Sequence, residues 1–107
     1  MKFSKEFERT ADEKGQLIYR RQQSVKIPVK LVRTSAKLEG AADQRLSYSF
    51  FMDKGLLAQG SGTGNQALVL EPNTRVPRGD REFVFIADGF APNQTVSGVL
   101  DIEFSFF

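Results

Sequence analysis

Hydrophobic and polar residues alternate with a period of two at residues 24–33, 45–52 and 100–106, and a fourth stretch, residues 81–87, has apolar side chains on both alternating sides. In an extended strand, alternate side chains point to opposite faces, whereas a helix repeats its apolar positions every three to four residues. The four stretches therefore predict β-strands with at least one buried face. We expect an all-β protein with little helix.

The stretch SVKIPVKLVR predicts one half-buried strand with a basic outer face. Its apolar side is formed by Val25, Ile27, Val29 and Leu31. Lys26 and Lys30 lie on the opposite side, together with Pro28. Proline has no N–H to donate to a neighbouring strand, so we expect this strand at a sheet edge, or Pro28 at a bulge.

The stretch REFVFIA is apolar on both sides and predicts a central strand. The alternation in RLSYSFFM separates the core-facing set Leu46, Tyr48, Phe50 and Met52 from the opposite set Ser47, Ser49 and Phe51. Phe51 is the one large apolar side chain of that second set. It is therefore a candidate interface residue.

The C-terminal stretch predicts a strand with one wet face. Its core side is Leu100, Ile102, Phe104 and Phe106, and its polar side is Asp101, Glu103 and Ser105. Phe107 falls on the polar side of this alternation. We therefore predict that Phe107 contacts a neighbouring subunit or an adjacent loop, while Phe104 and Phe106 belong to the core.

Turn residues separate these strands. Asp53 to Gly55 and Asp88 with Gly89 predict hairpin turns. Residues 71–80 predict a long loop, and the glycines at 60, 62 and 64 predict a flexible connection or a bulged strand end. The first fifteen residues fit either a short helix or the first strand of a hairpin. We favour the hairpin, in which Leu17 and Tyr19 face Phe3 and Phe7.

Seven or eight strands joined by short turns predict one antiparallel β-sandwich, immunoglobulin-like, that spans residues 1–107 as a single domain. The alternative is a small closed β-barrel. Ten phenylalanines against two tyrosines and no tryptophan indicate that the aromatic residues mainly fill a core.

The chain contains no cysteine and no histidine, which excludes several kinds of chemistry. Thiolate and imidazole metal sites, catalytic triads that need histidine or cysteine, and histidine proton shuttles cannot be built from this sequence. Asp101 and Glu103 form an i, i+2 pair on a solvent face, as expected for solvation. We predict a protein that is not an enzyme and that has no metal and no cofactor.

Charge is distributed unevenly along the chain. Residues 1–45 hold eleven Lys and Arg against six acids, a net charge of +5, and residues 46–107 hold four against seven, a net charge of −3. A basic region beside an aromatic ring can bind single-stranded nucleic acid, because cations neutralise phosphates and bases stack on rings. The candidate polyanion site is formed by Tyr19, Arg20, Arg21, Lys26, Lys30 and Arg33.

Three functions remain open from the sequence. The first is a non-enzymatic β-sandwich that acts through protein contact or self-association. The second is polyanion or single-stranded nucleic-acid binding through the basic N-terminal part. The third is a small barrel that holds an apolar ligand among its phenylalanines.

The sequence also gives an expectation about location. It contains no secretory signal and no apolar run of the length that spans a membrane. The cytoplasm is the default expectation, and a chain that begins after a removed signal would have the same sequence.

Overall fold

The computed structural model describes residues 1–106, and these residues form two antiparallel β-sheets packed face to face. The nine strands are β1 (Lys2–Thr10), β2 (Gln16–Val25), β3 (Val29–Glu39), β4 (Arg45–Met52), β5 (Gly55–Thr63), β6 (Leu68–Leu70), β7 (Thr74–Val76), β8 (Gly79–Asp88) and β9 (Thr95–Ser105). The predicted all-β antiparallel sandwich is confirmed. The described residues contain no helix, and hence none that is long and apolar enough to cross a membrane.

Most consecutive strands lie in opposite sheets. Sheet A has the order β1-β9-β3-β6, with β7 also paired to β3, and sheet B has the order β2-β8-β4-β5. β6 and β7 pair with successive parts of β3, so they act as one interrupted strand. This order is the double Greek key of a jelly roll, so the predicted sandwich has a strand order different from the immunoglobulin-like one expected. The interruption at residues 71–73 raises the strand count above the predicted seven or eight.

The two sheets remain separate along their edges. Among residues 1–106, the strand pairings of sheet A and those of sheet B share no strand. A closed barrel needs continuous pairing around its whole circumference. The barrel alternative is therefore wrong.

The first 25 residues form two strands, which excludes the short helix. The predicted pairing of these strands is wrong, however, because β1 pairs with β9 and β2 pairs with β8. The turn between them crosses from one sheet to the other. The Asp12 carboxylate accepts hydrogen bonds from the N–H groups of Lys14, at 2.8 Å, and Gln16, at 2.9 Å. These bonds, the one from Gln16 foremost, lower the pKa of Asp12.

Residues 24–33 do not form one strand. β2 ends at Val25 and β3 begins at Val29, and the residues between them form a corner that carries the chain from sheet B to sheet A. Pro28 lies in this corner, where its missing N–H costs no ladder bond. Ile27 is 53% exposed instead of facing the core as predicted.

The core lies between the inner faces of the two sheets. Phe50, Phe83 and Phe85 are among its fully buried side chains, as expected for a phenylalanine-rich core. β8 lies between β2 and β4, so its prediction as a central strand is confirmed. Phe104 is buried, but Phe106 is 63% exposed because β9 ends at Ser105. The predicted core position of Phe106 is wrong.

Three turn predictions have different outcomes. The hairpin at Asp53 is confirmed, with positive φ at Asp53 (48°) and Lys54 (72°). The segment at Asp88 and Gly89 leads from sheet B to sheet A and is not a hairpin. Residues 71–80 are not one long loop, because β7 and the start of β8 lie within them.

Candidate functional site

The outer face of sheet B carries apolar side chains at neighbouring positions of adjacent strands. In β8, Phe83 and Phe85 point inward, so Val84 and Ile86 point outward by alternation. The strand register places Ile18 opposite Ile86, Phe51 opposite Val84 and Leu56 opposite Phe51. We call this group the sheet B patch; it consists of Ile18, Phe51, Leu56, Val84 and Ile86.

The sheet B patch faces solvent within the part of the chain that the structure describes. Leu56 is 51% exposed, and Phe51 and Ile86 are half-buried. Val84 is only 5% exposed although it points outward, because its neighbours on β2 and β4 cover it. Arg20 and Glu82 form a salt bridge of 3.7 Å at the rim of the patch. The exposed Asp88 lies on the same face, two residues after Ile86, so the rim of the patch carries charges of both signs.

An irregularity in the β4–β5 pairing places Leu56 beside Phe51. The register pairs Phe50 with Ala58 but Phe51 with Leu56, so Leu57 is an extra residue on β5. Such a bulge changes which side chains share a face and bends the strand locally. The predicted interface residue Phe51 therefore lies in an apolar group, and its role in an interface stays a prediction.

Asp53 fixes the β4–β5 turn against the start of β8. Its carboxylate accepts hydrogen bonds from the N–H of Glu82 and from the Arg81 guanidinium, each at 2.9 Å. Its own N–H donates to the carbonyl of Glu82, also at 2.9 Å. The Glu82 N–H, and next the Arg81 guanidinium, lower the pKa of Asp53. This ionised carboxylate holds in place the turn from which Leu56 extends.

The cations of the candidate polyanion site are distributed over both sheets. Arg20 lies on the outer face of sheet B, while Arg33 lies on the outer face of sheet A with Glu71 at 3.5 Å. Lys26 is in the corner between the sheets, and Lys30 is on β3. The basic face predicted for one strand is therefore divided, because the chain changes sheets at residues 26–28.

The aromatic residue of the candidate polyanion site is in the core. Tyr19 is 4% exposed and packs against Phe7, with ring centroids 4.9 Å apart. The Arg9 guanidinium lies 5.1 Å from the centroid of the Tyr19 ring. Arg21, two residues after Tyr19, is half-buried and donates to the Gln23 side chain at 3.3 Å. The Tyr19 ring has no open face on which a base could stack.

A second apolar surface lies at one end of the sandwich, between β1 and the corner at residues 26–28. This cleft of about 260 Å³ is lined mainly by Phe3, Val25, Ile27, Phe104 and Phe106. It is open on one side and exposes Ile27 and Phe106. It differs from the internal cavity expected of a ligand-binding barrel, because the space between the sheets is filled by buried side chains.

Sequence reasoning found Phe51 but did not assign Ile18, Leu56, Val84 or Ile86 to a surface. The signal was present in REFVFIA, which is apolar on both sides. In a fold of two layers, a sheet can bury only one face, so such a strand leaves apolar side chains on the outside. Phe107, the other predicted interface residue, lies outside the described residues. Within residues 1–106, no group of three or more carboxylates is placed so that it could hold a metal ion.

No family model matches this chain, and no curated protein matches it. Solved structures do resemble it. A carbohydrate-binding module in complex with calcium and xylotriose is 14% identical with a TM-score of 0.50, over 90% of this chain and 78% of that one. This likeness supports the sandwich fold and assigns no function.

Two further solved structures are similar over most of the chain. A periplasmic inhibitor of g-type lysozyme from Aeromonas hydrophila is 10% identical over 97% of this chain and 86% of its own, with a TM-score of 0.49. The pre-peptidase C-terminal domain of a collagenase from Bacillus anthracis is 8% identical over 94% and 88%, with a TM-score of 0.47. Neither likeness carries an argument about function.

Proposed function

We propose that this protein is a non-enzymatic β-sandwich module that acts through protein contact. Its partner is a second copy of the chain, and its contact surface is the sheet B patch. The observation that carries the proposal is the group of apolar side chains on the solvent side of sheet B. A contiguous exposed apolar patch is typical of an interaction site. Packing this face against an equivalent sheet would remove it from water.

The electrostatics of the carboxylates support a non-catalytic role. Asp12 and Asp53, whose carboxyl groups have lowered pKa values, both lie at turns and accept backbone hydrogen bonds. Because these hydrogen bonds hold the turns, the lowered pKa values have a structural cause. A carboxyl group that acts as a general acid needs the opposite shift, because it must be protonated near neutral pH. Together with the absence of histidine and cysteine from the sequence, this favours a binding role.

The charges beside the patch favour a second copy as the partner. Arg20 and Glu82 already pair at 3.7 Å, and their side chains remain 61% and 31% exposed. A two-fold axis brings a surface against itself, so a rim that carries charges of both signs can be complementary to its own copy. A partner with a strong charge of one sign would lack such a complement at this rim.

The two other functions have less support. For polyanion binding, the cations are divided between the sheets and Tyr19 is buried. For an apolar ligand, the cleft at the end of the sandwich is open and smaller than the roughly 300–1,000 Å³ of ordinary ligand pockets. The cleft exposes Ile27 and Phe106 at one end of the sandwich, whereas the sheet B patch extends over all four strands of its sheet.

Multi-angle light scattering across concentration, with two matched variants, tests the proposal. Ile86→Lys places a charge in the patch, and Val99→Lys is its control, because Val99 is also half-buried on the outer face of a central strand, in sheet A. We expect concentration-dependent association of the wild type, weakened about tenfold or more by Ile86→Lys. The control should associate like the wild type. A wild type that stays monomeric, or equal effects of the two variants, would contradict the proposal.

A further inference from the structure

Strand β5 forms one edge of sheet B, and it differs from the other sheet edges in the described chain. Its sequence GLLAQGSGT contains no charged residue and no proline over 9 residues. An edge strand presents unpaired backbone N–H and C=O groups along its free side. Natural sheets usually protect such an edge with charges, proline or a very short strand.

The remaining edges carry this protection. β1, KFSKEFERT, has five charged residues, and two of them, Lys5 and Arg9, lie on the same face as the buried Phe7. β2 carries Arg20 and Arg21. β6 and β7 form the other edge of sheet A. Each of these strands has only 3 residues, and Pro72 lies between them. Only the β5 edge lacks such a feature among the described strands.

The second half of β5 has the geometry of a pairing site. From Ala58 to Thr63 its register with β4 is regular, because the bulge at Leu57 lies before this segment. Within residues 1–106, the backbone hydrogen bonds of residues 58–62 run only to β4. On the inner side, Gly60 and Gly62 leave room for Leu70 and Leu68 of β6. The free side of the segment therefore offers a row of backbone donors and acceptors beside small side chains.

We propose that β5 pairs with the β5 of a second copy in antiparallel orientation, so that two B sheets join into one. Antiparallel pairing about a two-fold axis sets a residue at the axis against its own copy, so a charge at that position would oppose a like charge. β5 is the edge with no such repulsion. The inference extends the proposed self-association, on which it rests for the identity of the partner, and it adds a second, separate contact. The joined sheets would place the two sheet B patches on one side of a wider sheet.

Two contacts on one chain give assemblies larger than a dimer. The patch contact joins copies face to face, and the β5 contact joins them edge to edge. When both operate, we expect a species above the dimer, which is a closed tetramer if the two axes are perpendicular. Loss of either contact alone should leave a dimer.

The test places charges on the β5 edge. Ser61 is exposed on the outer face of β5, so Ser61→Lys and Ser61→Glu should fold normally while each opposes like charges in a self-pair. We expect each variant alone to stop at the dimer in sedimentation velocity, and an equimolar mixture to recover the larger species. Recovery on mixing excludes misfolding as the cause. The control is Gln22→Lys, at the exposed opposite edge of sheet B, which should assemble like the wild type.

The outcomes separate the two proposals. If the wild type stops at a dimer that Ile86→Lys dissociates and Ser61→Lys leaves intact, the patch contact holds and the β5 inference is overturned. If the wild type and Ile86→Lys form the same dimer while each Ser61 variant alone is a monomer, the β5 contact holds and the patch contact fails. A mixture of the Lys and Glu variants that does not recover the larger species would also overturn the β5 inference.

Discussion

The ring of Phe7 in β1 packs on the ring of Tyr19 in β2, with centroids 4.9 Å apart and planes inclined by 36°, although the two strands belong to different sheets. The pair closes the sandwich along the side where the edges β1 and β2 meet. Arg9 covers the Tyr19 ring from β1. This contact explains how a turn that looks like a hairpin turn can instead join two layers.

Phe104→Ala should destabilise the fold, whereas Phe106→Ala should not. Phe104 is buried and contacts the rings of Phe3 and Phe83, at centroid distances of 5.8 and 6.2 Å. Removing a buried phenylalanine ring costs about 3–5 kcal/mol. Phe106 is 63% exposed, so its truncation should leave the urea midpoint nearly unchanged. Equal midpoints for the two variants would contradict the placement of Phe104 in the core.

Asp53 should make stability depend on pH in the acid range. A carboxyl group whose pKa is lowered by folding stabilises the native state above its unfolded value, near 3.8, and this contribution is lost as the pH falls through the lower native value. Urea unfolding from pH 7 down to pH 2.5 should therefore show a smaller loss of stability for Asp53→Asn than for the wild type.

Arg81→Gln separates the two hydrogen bonds that lower the pKa of Asp53. It removes the guanidinium at 2.9 Å but keeps the N–H of Glu82, which is the larger cause of the lowered pKa. Its pH dependence should therefore lie between that of the wild type and that of Asp53→Asn. A wild-type profile for Asp53→Asn would show that Asp53 is not held as described.

Gly15→Ala should destabilise more than Gly40→Ala. Both glycines have positive φ, 80° and 88°, so alanine at either position should cost about 1–2 kcal/mol from backbone strain. Only at Gly15 would the added Cβ also collide with the carbonyl oxygen of Phe90, while at Gly40 the nearest atom is 3.9 Å away. Thermal unfolding of the two variants compares these costs, and equal shifts would contradict the close packing of the turn at Gly15.

Binding to single-stranded nucleic acid should be weak even at low salt. The cations of the candidate polyanion site are divided between two sheets, and Tyr19 cannot stack on a base. Fluorescence anisotropy with an oligothymidylate at several salt concentrations measures this. Tight binding, with a salt slope that Lys26→Gln and Lys30→Gln together lower by about two phosphate contacts, would restore the polyanion hypothesis.

Alternation identified β4, β8 and β9 and most of the side chains that these strands bury. It correctly separated Leu46, Tyr48 and Phe50 from the serines between them, because a buried sheet face requires an apolar side chain at every second position. It failed at Ile27 and Phe106 for one reason. Both residues continue the period of two beyond the point where the strand ends, and a pattern within the chain does not show where pairing stops.

The sequence by itself determined the all-β class of the fold, since side-chain period and turn residues are local properties of the chain. Only the tertiary structure decided which strands pair. The turns at residues 11–15 and 89–94 have the residues of hairpin turns, yet each joins opposite sheets, because long-range packing such as that of Phe7 on Tyr19 decides where the next strand lies. The same packing divided the basic residues between two sheets and left a group of apolar side chains on the outer face of sheet B.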